Sequence, residues 1–201
     1  MANILVPGGG RPYVDGDALD HGAPLVFAVD SVFASIECRE MIARIDALNP
    51  TLAPVSLAAG FVEMPDVRNN ERVMFDDRAL ATTLFERLRP SLPERLANRR
   101  PVGVNERFRC YRYSPGQKFA QHFDGAFQRN AHERSELTLM IYLNEGFVGG
   151  STAFYDFTHD PLHVQPRAGM ALMFQHHQLH EGCIVREGQK YVLRSDVMYA
   201  D

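Results

Sequence analysis

The stretch LTLMIYLNEGFVGGSTAFY at residues 137–155 decides the fold. A β-rich run at 137–143 meets a second at 151–155 across Gly149-Gly150, a pair suited to a tight corner. The same unit recurs on either side. Short β-rich segments follow at 108–113, 118–123, 163–166, 171–174, 182–185 and 191–199, with Gly- or Pro-bearing turns at 114–116, 167–169 and 187–189. Seven or eight short strands at this spacing predict a sandwich, jelly roll or barrel.

Before residue 105 the pattern changes. Ile36, Cys38, Met41, Ile42, Ile45 and Leu48 recur at steps of three and four, which predicts a helix stopped by Asn49-Pro50. Leu80, Leu84, Phe85 and Leu88 predict a second helix after Asp76-Asp77, ended by Pro90. Both apolar stripes are expected in the core, with the helices packed outside a sheet. Residues 55–75 predict strands around the polar centre VRNNERV. The PGGG of residues 7–10 lacks the spacing of a dinucleotide or phosphate loop and is assigned as a turn. The expectation is one domain over 1–201, α+β and mainly β, with supporting elements in 1–104 and the core in 105–201.

Composition excludes several functions. The chain has 201 residues, 45% of them apolar and 23% charged, and a formal charge of −4. That balance gives no electrostatic footprint for nucleic acid or an anionic membrane. No apolar run approaches the roughly 18–20 residues of a membrane span, and the N-terminus lacks a secretory pattern. Cys38, Cys110 and Cys183 are odd in number and widely spaced, so the expectation is reduced thiols in the core of a cytoplasmic protein.

The chemistry centres on YSPGQKFAQHFDG, residues 113–125. His122 and Asp124 are two apart, so on an extended chain they share a face and can offer two ligands to one metal. In a two-layer β fold, a third ligand belongs on a late strand. Among eight histidines, His180 fits best, at a turn between two predicted strands. Two imidazoles and one carboxylate leave three octahedral positions open, the pattern of non-heme Fe(II) oxygenases; zinc and the hard cations favour other ligand sets.

Four ordered blocks then resemble one family: RYSPGQKFAQHFDG, LTLMIYLNEGFVGGSTAFY, VQPRAGMALMFQHHQLHEG and GQKYVLRSDVMY. They cover about half the chain and are similar to the Fe(II)- and 2-oxoglutarate-dependent dioxygenases, within them the prolyl 4-hydroxylase-like branch. The RNNERV block also looks like a feature of some members. The resemblance implies a double-stranded β-helix (jelly roll, cupin-like) core with supporting N-terminal helices. It puts His122, Asp124 and His180 on the metal ligands. It also implies Fe(II), 2-oxoglutarate and O2, with ascorbate as a reductant, and hydroxylation of a C–H bond with release of succinate and CO2.

A buried distal carboxylate of 2-oxoglutarate needs a cation on an inward strand position. Lys190 and Arg194 both qualify, being four apart on a strand. The resemblance selects Lys190 as anchor, with Tyr142 helping to hold the same carboxylate and Arg194 as a secondary contact. Tyr113 is expected to face the pocket or to be a structural tyrosine. Arg68, Asn69 and Asn70, with Arg72 beside them, fall where the family borders the active-site mouth and meets substrate. Phe119 stands where many prolyl hydroxylases have tyrosine, which leaves proline specificity open. His176 and His177 are expected as non-ligands near the entrance, His159 and His163 as solvated surface, and Gly149, Gly150 and Gly169 as structural turns. The expected partner is a prolyl peptide or a small amino acid-like molecule, with no nucleic acid and no membrane. A nucleic-acid demethylase and a non-catalytic jelly-roll binding protein remain the rival readings, the first disfavoured by the acidic balance and by RSDVMY.

Overall fold

The computed structural model describes residues 1–57, 60–156 and 160–201, without the side chains at 56, 57 and 61. His159 therefore lies outside the described residues. Two helices form where the apolar spacing predicts them. Helix α1 spans Ser35–Ala47; the Glu37 carboxylate accepts from the Ala34 N–H at 2.8 Å, closing the first turn. Cys38, Met41 and Ile45 are buried, but Ile36 and Leu48 are about half exposed, so the inward stripe is narrower than expected. The chain leaves the helix through Asn49, in the left-handed region at φ 53°, followed by Pro50.

Helix α2 spans Arg78–Leu88. Asp77 caps it by accepting from the Leu80 N–H at 3.0 Å, and Ala81, Leu84 and Leu88 are buried. Arg87 ties the helices together through two bonds to Glu37 (2.8 and 3.0 Å) and one to the Val32 carbonyl (2.8 Å).

The helices cover one face of a nine-stranded antiparallel sheet. Its order is Asn3–Val6, Val26–Val29, Ala171–Gln175, Glu133–Tyr142, Lys190–Ala200, Arg107–Tyr113, Glu71–Asp76 and Thr51–Leu52, and Arg100–Val104 also pairs with the Lys190–Ala200 strand. A second sheet orders Leu162–Val164, Thr152–Phe154, His180–Gly182 and Phe119–His122. Strand alternation divides the large sheet's side chains between two cores. Phe108, Cys110, Leu137, Leu139, Ile141, Tyr191, Leu193 and Val197 pack with the helices. Tyr111, Tyr113, Tyr142, Leu172, Phe174 and Val192 pack with Phe154 and Val164 of the second sheet. This is the expected jelly roll with helices outside.

One irregularity positions the site. Between Ser135 and Leu137 the register against Lys190–Ala200 shifts: Leu137 lies opposite Val197, yet Ser135 lies opposite Met198. Glu136 is the extra residue of a β-bulge, and it turns Ser135 onto the same face as Thr138. At Gly169 (φ 79°) a Cβ would lie 2.2 Å from the Phe33 carbonyl, so only glycine fits where this turn receives the Val32 and Phe33 N–H groups.

Some segment boundaries differ from expectation. The run at 182–185 straddles a break, because His180–Gly182 joins the second sheet while Val185–Glu187 pairs with Val148–Gly149. His180 is consequently a strand residue, not a turn residue. Cys38 and Cys110 are buried as expected, but Cys183 is partly exposed, with its thiol 3.3 Å from Glu181.

Leu84 is fully buried between α2 and the sheet. Leu84→Ala should destabilise the fold by about 2–5 kcal/mol, read from the midpoint of urea unfolding at unchanged slope.

Candidate active site

His122 ends the strand Phe119–His122, and its backbone lies directly opposite His180 across the second sheet. Asp124 follows two residues later, anchored by its N–H to the His176 carbonyl at 3.0 Å. The three side chains converge, their candidate ligand atoms all within 4.8 Å of one another. His122 Nε2 is 3.7 Å from Asp124 Oδ1, and His180 Nε2 is 3.6 Å from Oδ2.

Both imidazoles are held by the carbonyl two residues back on their own chain. His122 Nδ1 meets the Ala120 carbonyl at 2.7 Å, and His180 Nδ1 meets that of Gln178 at 2.9 Å. A carbonyl only accepts, so Nδ1 carries the hydrogen and Nε2 turns its lone pair toward the cluster. Burial, with His180 nearby, lowers His122 to about 3. Burial also lowers His180. Both rings are thus neutral, as ligation requires. Burial works to raise Asp124, but the Arg194 guanidinium, with the Thr138 hydroxyl behind it, outweighs burial and holds the carboxylate ionised. The donor set of two imidazoles and one carboxylate suits Fe(II).

Asp124 is also held from behind. The Thr138 hydroxyl donates to Oδ2 at 2.7 Å; Thr138 Oγ1 lies 3.0 Å from His176 Nδ1, and His176 Nε2 lies 2.8 Å from Ser135 Oγ. With the threonine proton given to Asp124, His176 Nδ1–H donates to Thr138 and Ser135 donates to His176 Nε2. The arrangement suits a neutral imidazole, and burial lowers the His176 pKa in that direction. His176 is therefore not an entrance residue but a buried support; His177 is exposed. The doubled histidine at 176–177 hinted at it, but only the bulge at Glu136 brings Ser135 and Thr138 to the same ring.

The cluster shares a narrow cavity with Tyr111, Tyr113, Phe119, Met140, Thr152, Gly182, Lys190 and Arg194. Lys190 is 1% exposed, so it is not a surface lysine. Its ammonium donates to the Gly150 carbonyl at 2.6 Å and lies 5.2 and 5.4 Å from the ring centres of Tyr113 and Tyr142. Among the described residues no carboxylate pairs with it, and burial lowers it to about 8. A buried ammonium without a counter-ion fits the distal carboxylate of a keto acid. Gly150 is thus more than a turn, since its carbonyl holds this group. Tyr142 reaches the cavity through Thr152, its hydroxyl 2.7 Å from Thr152 Oγ1.

Arg194 sits two same-face steps further along the strand from Lys190, past Val192, and forms an ion pair with Asp124, Nη2 to Oδ1 at 2.7 Å. The open volume is about 20 Å3, room for about one water, so a keto acid enters only as lining side chains shift. Phe119 stacks on the His122 ring with centroids 3.6 Å apart, and the Arg68 guanidinium lies 4.3 Å from the centre of the Phe119 ring. The structure does not bring the two asparagines to the cavity. Asn69 accepts from the Lys118 N–H at 2.7 Å, and Asn70 is fully buried, accepting from Arg68 Nε at 2.9 Å. His163 is exposed, as expected.

Comparisons with known proteins agree with this geometry. Residues 108–195 match the 2OG-Fe(II) oxygenase superfamily. Prolyl 4-hydroxylase 13 of Arabidopsis thaliana is 27% identical over 88% of this chain and 76% of its own length. Solved structures share the fold. A viral collagen prolyl hydroxylase from Paramecium Bursaria Chlorella virus-1, in its 2OG complex, aligns over 88% of this chain and 97% of its own at 20% identity and TM-score 0.56. A prolyl hydroxylase from Trichoplax adhaerens, in complex with a hypoxia inducible factor peptide fragment, aligns over 88% and 84% at 17% identity and TM-score 0.64.

Residues 108–195 thus resemble the Fe(II)- and 2-oxoglutarate-dependent oxygenases, a family that uses O2 as co-substrate, and the donor set of the site fits that likeness. The relatives named above that this chain resembles are prolyl hydroxylases.

Thr138→Val removes the hydroxyl behind Asp124 while keeping the side-chain shape. Fe(II) affinity should fall about 10–100-fold in a competitive chelator titration, with the unfolding midpoint changed far less than the metal affinity.

Proposed function

We propose that the protein hydroxylates a C–H bond of a prolyl peptide or a small amino acid-like substrate, converting 2-oxoglutarate to succinate and CO2. One observation carries this reading. The only three-residue His/Asp cluster able to hold a metal among the described residues shares its cavity with a buried lysine that lacks a counter-ion. His122, Asp124 and His180 would hold Fe(II), and Lys190 with Thr152 and Tyr142 would hold the distal carboxylate.

When bound, the iron and keto acid supply O2 activation and oxidative decarboxylation. The chain's own residues supply orientation and dryness. The Ala120 and Gln178 carbonyls fix the two imidazole tautomers, Thr138 fixes Asp124, and the rings of Phe119 and Phe174 shield His122 and His180. The ammonium of Lys190 stays protonated at neutral pH, ready for a carboxylate. A non-catalytic jelly roll has no need of this pairing.

Anaerobic addition of Fe(II) and 2-oxoglutarate should produce metal-to-ligand charge-transfer absorption. Asp124→Ala should abolish both that band and succinate formation; native-rate succinate from this variant would sink the ligand assignment. Lys190→Met should weaken 2-oxoglutarate binding by at least about 30-fold, or about 2 kcal/mol.

The Lys190 pKa gives the sign of a pH effect. A bound carboxylate favours the ammonium, so above about pH 8 binding must take up a proton. The affinity for 2-oxoglutarate should fall by up to about tenfold per pH unit above about 8, with no Lys190-dependent change below it. Titration of the charge-transfer band from pH 7 to 9.5 measures this.

A further inference from the structure

Among the described residues, Arg194 is the one lysine or arginine that bonds a candidate metal ligand. Its Nη2 donates to Asp124 Oδ1 at 2.7 Å, and the two side chains are only 12% and 5% exposed. The family resemblance makes Arg194 a secondary contact of 2-oxoglutarate, but this ion pair gives its charge another use. The pair is built into the sheet. On the Lys190–Ala200 strand, Arg194 lies opposite Met140 on one side and Arg109 on the other. Asp196, on the same face of that strand, pairs with Arg109 at 3.1 Å, which leaves Asp124 as the carboxylate for Arg194. The Tyr111 phenol and the Asp196 charge add attraction to the guanidinium. An arginine also has no neutral form to retreat to inside a protein.

The charges around the three ligands follow from this pair. The ligand set carries one negative charge, that of Asp124, because both imidazoles are neutral. Arg194 cancels it. Nothing behind the other ligands restores it. His122 and His180 each give the Nδ1 hydrogen to a neutral carbonyl, of Ala120 and Gln178, and Thr138 is a neutral donor to Asp124. The other charged residue lining the cavity is Lys190, again a cation. A divalent ion on these ligands therefore meets a buried guanidinium at short range, and a trivalent ion meets a repulsion about half as large again. The bonds donated to Asp124 also draw on the same oxygens that would ligate, and such outer partners set how strongly a ligand donates.

We infer that Arg194 tunes the metal centre through Asp124: it weakens the hold on divalent metal and weakens that on trivalent iron further, which keeps the iron ferrous. The inference rests on the oxygenase reading above. It makes Arg194 a positioning residue that needs no contact with substrate. In the couple Fe(III) + e− ⇌ Fe(II), the oxidised side places the extra positive charge beside the guanidinium, so Arg194 raises the potential. A centre that resists oxidation in this way calls for little external reductant. Ascorbate should therefore matter less to the native protein than to a variant without the charge.

The test compares the native protein with three variants. Arg194→Gln keeps a donor for Asp124 and loses the charge, Arg194→Met loses both, and Arg194→Lys keeps the charge. Mn(II) affinity is measured anaerobically by competition with a chelator. Both neutral variants should bind Mn(II) at least about tenfold tighter than the native protein, and Arg194→Lys should stay within about threefold of it. The Fe(III)/Fe(II) potential is then read by anaerobic redox titration of the 2-oxoglutarate charge-transfer band. It should fall in the neutral variants by at least about 30 mV, the one-electron equivalent of a further threefold gain for Fe(III) over Fe(II).

A merely structural Arg194 gives the opposite sign, because a loosened Asp124 holds metal less well. Mn(II) affinity that is unchanged or lower in the neutral variants therefore overturns the proposal, as does a potential that stays level or rises. So does a loss confined to 2-oxoglutarate affinity, which would return Arg194 to the co-substrate contact that the resemblance implies. If one neutral variant fails to fold by circular dichroism, the other decides; failure of both assigns Arg194 to the fold and overturns the proposal. A native protein that binds Mn(II) no better than Asp124→Ala defeats the oxygenase reading itself, a result separable from the others.

Discussion

The pairing of Glu133–Tyr142 with Lys190–Ala200 governs everything else in the molecule. These are the two longest strands, and from Leu137 onward their alternation splits the interior. Odd positions such as Leu137, Leu139, Leu193 and Val197 meet the helices and bury apolar surface. Even positions such as Thr138, Tyr142, Lys190 and Arg194 face the second sheet, where the polar chemistry lies. Slipping either strand by one residue would send Lys190 and Arg194 into the helix-packed core and put leucines against the histidines. The hydrophobic set on one face therefore enforces the catalytic set on the other.

The polar face is stable because nearly every group on it is answered. Asp124 receives Thr138 and Arg194, the two imidazoles receive backbone carbonyls, and Lys190 receives the Gly150 carbonyl. Arg194 bonded to Asp124 also means that a cation already balances the carboxylate that faces the metal position. Among the described residues, the buried side-chain atoms left without a partner are Arg68 Nη2, Tyr111 Oη, Arg194 Nε and Asp196 Oδ1, with Arg99 Nη1 and Tyr199 Oη outside that group.

Much of this was legible in the sequence because it depends on local period. The two-residue step from His122 to Asp124, the strand alternation, both helices and the shared face of Lys190 and Arg194 follow from spacing, while the choice of Lys190 comes from the family resemblance. The remainder depends on three-dimensional neighbours. Nothing local distinguishes His176, a buried support, from His177, an exposed neighbour. Asn69 and Asn70 look like binding residues because they are polar and clustered, but their amides serve the backbone and Arg68. Ile36 fits the helical stripe yet faces solvent, because the buried face of α1 is limited to Cys38, Met41 and Ile45. Gly150 looked like a corner and also supplies an acceptor.

The bulge at Glu136 carries a different kind of information. Three residues apart on a regular strand, Ser135 and Thr138 would point to opposite faces; with one residue inserted, both reach the two nitrogens of the same imidazole. The outer support of the metal site is thus specified by residue count, not by residue identity. A relative could keep every ligand and every supporting side chain and still lose that support through a single deletion between Ser135 and Leu137. In such a chain Ser135 would turn toward the helices, and the imidazole behind Thr138 would be left with one partner.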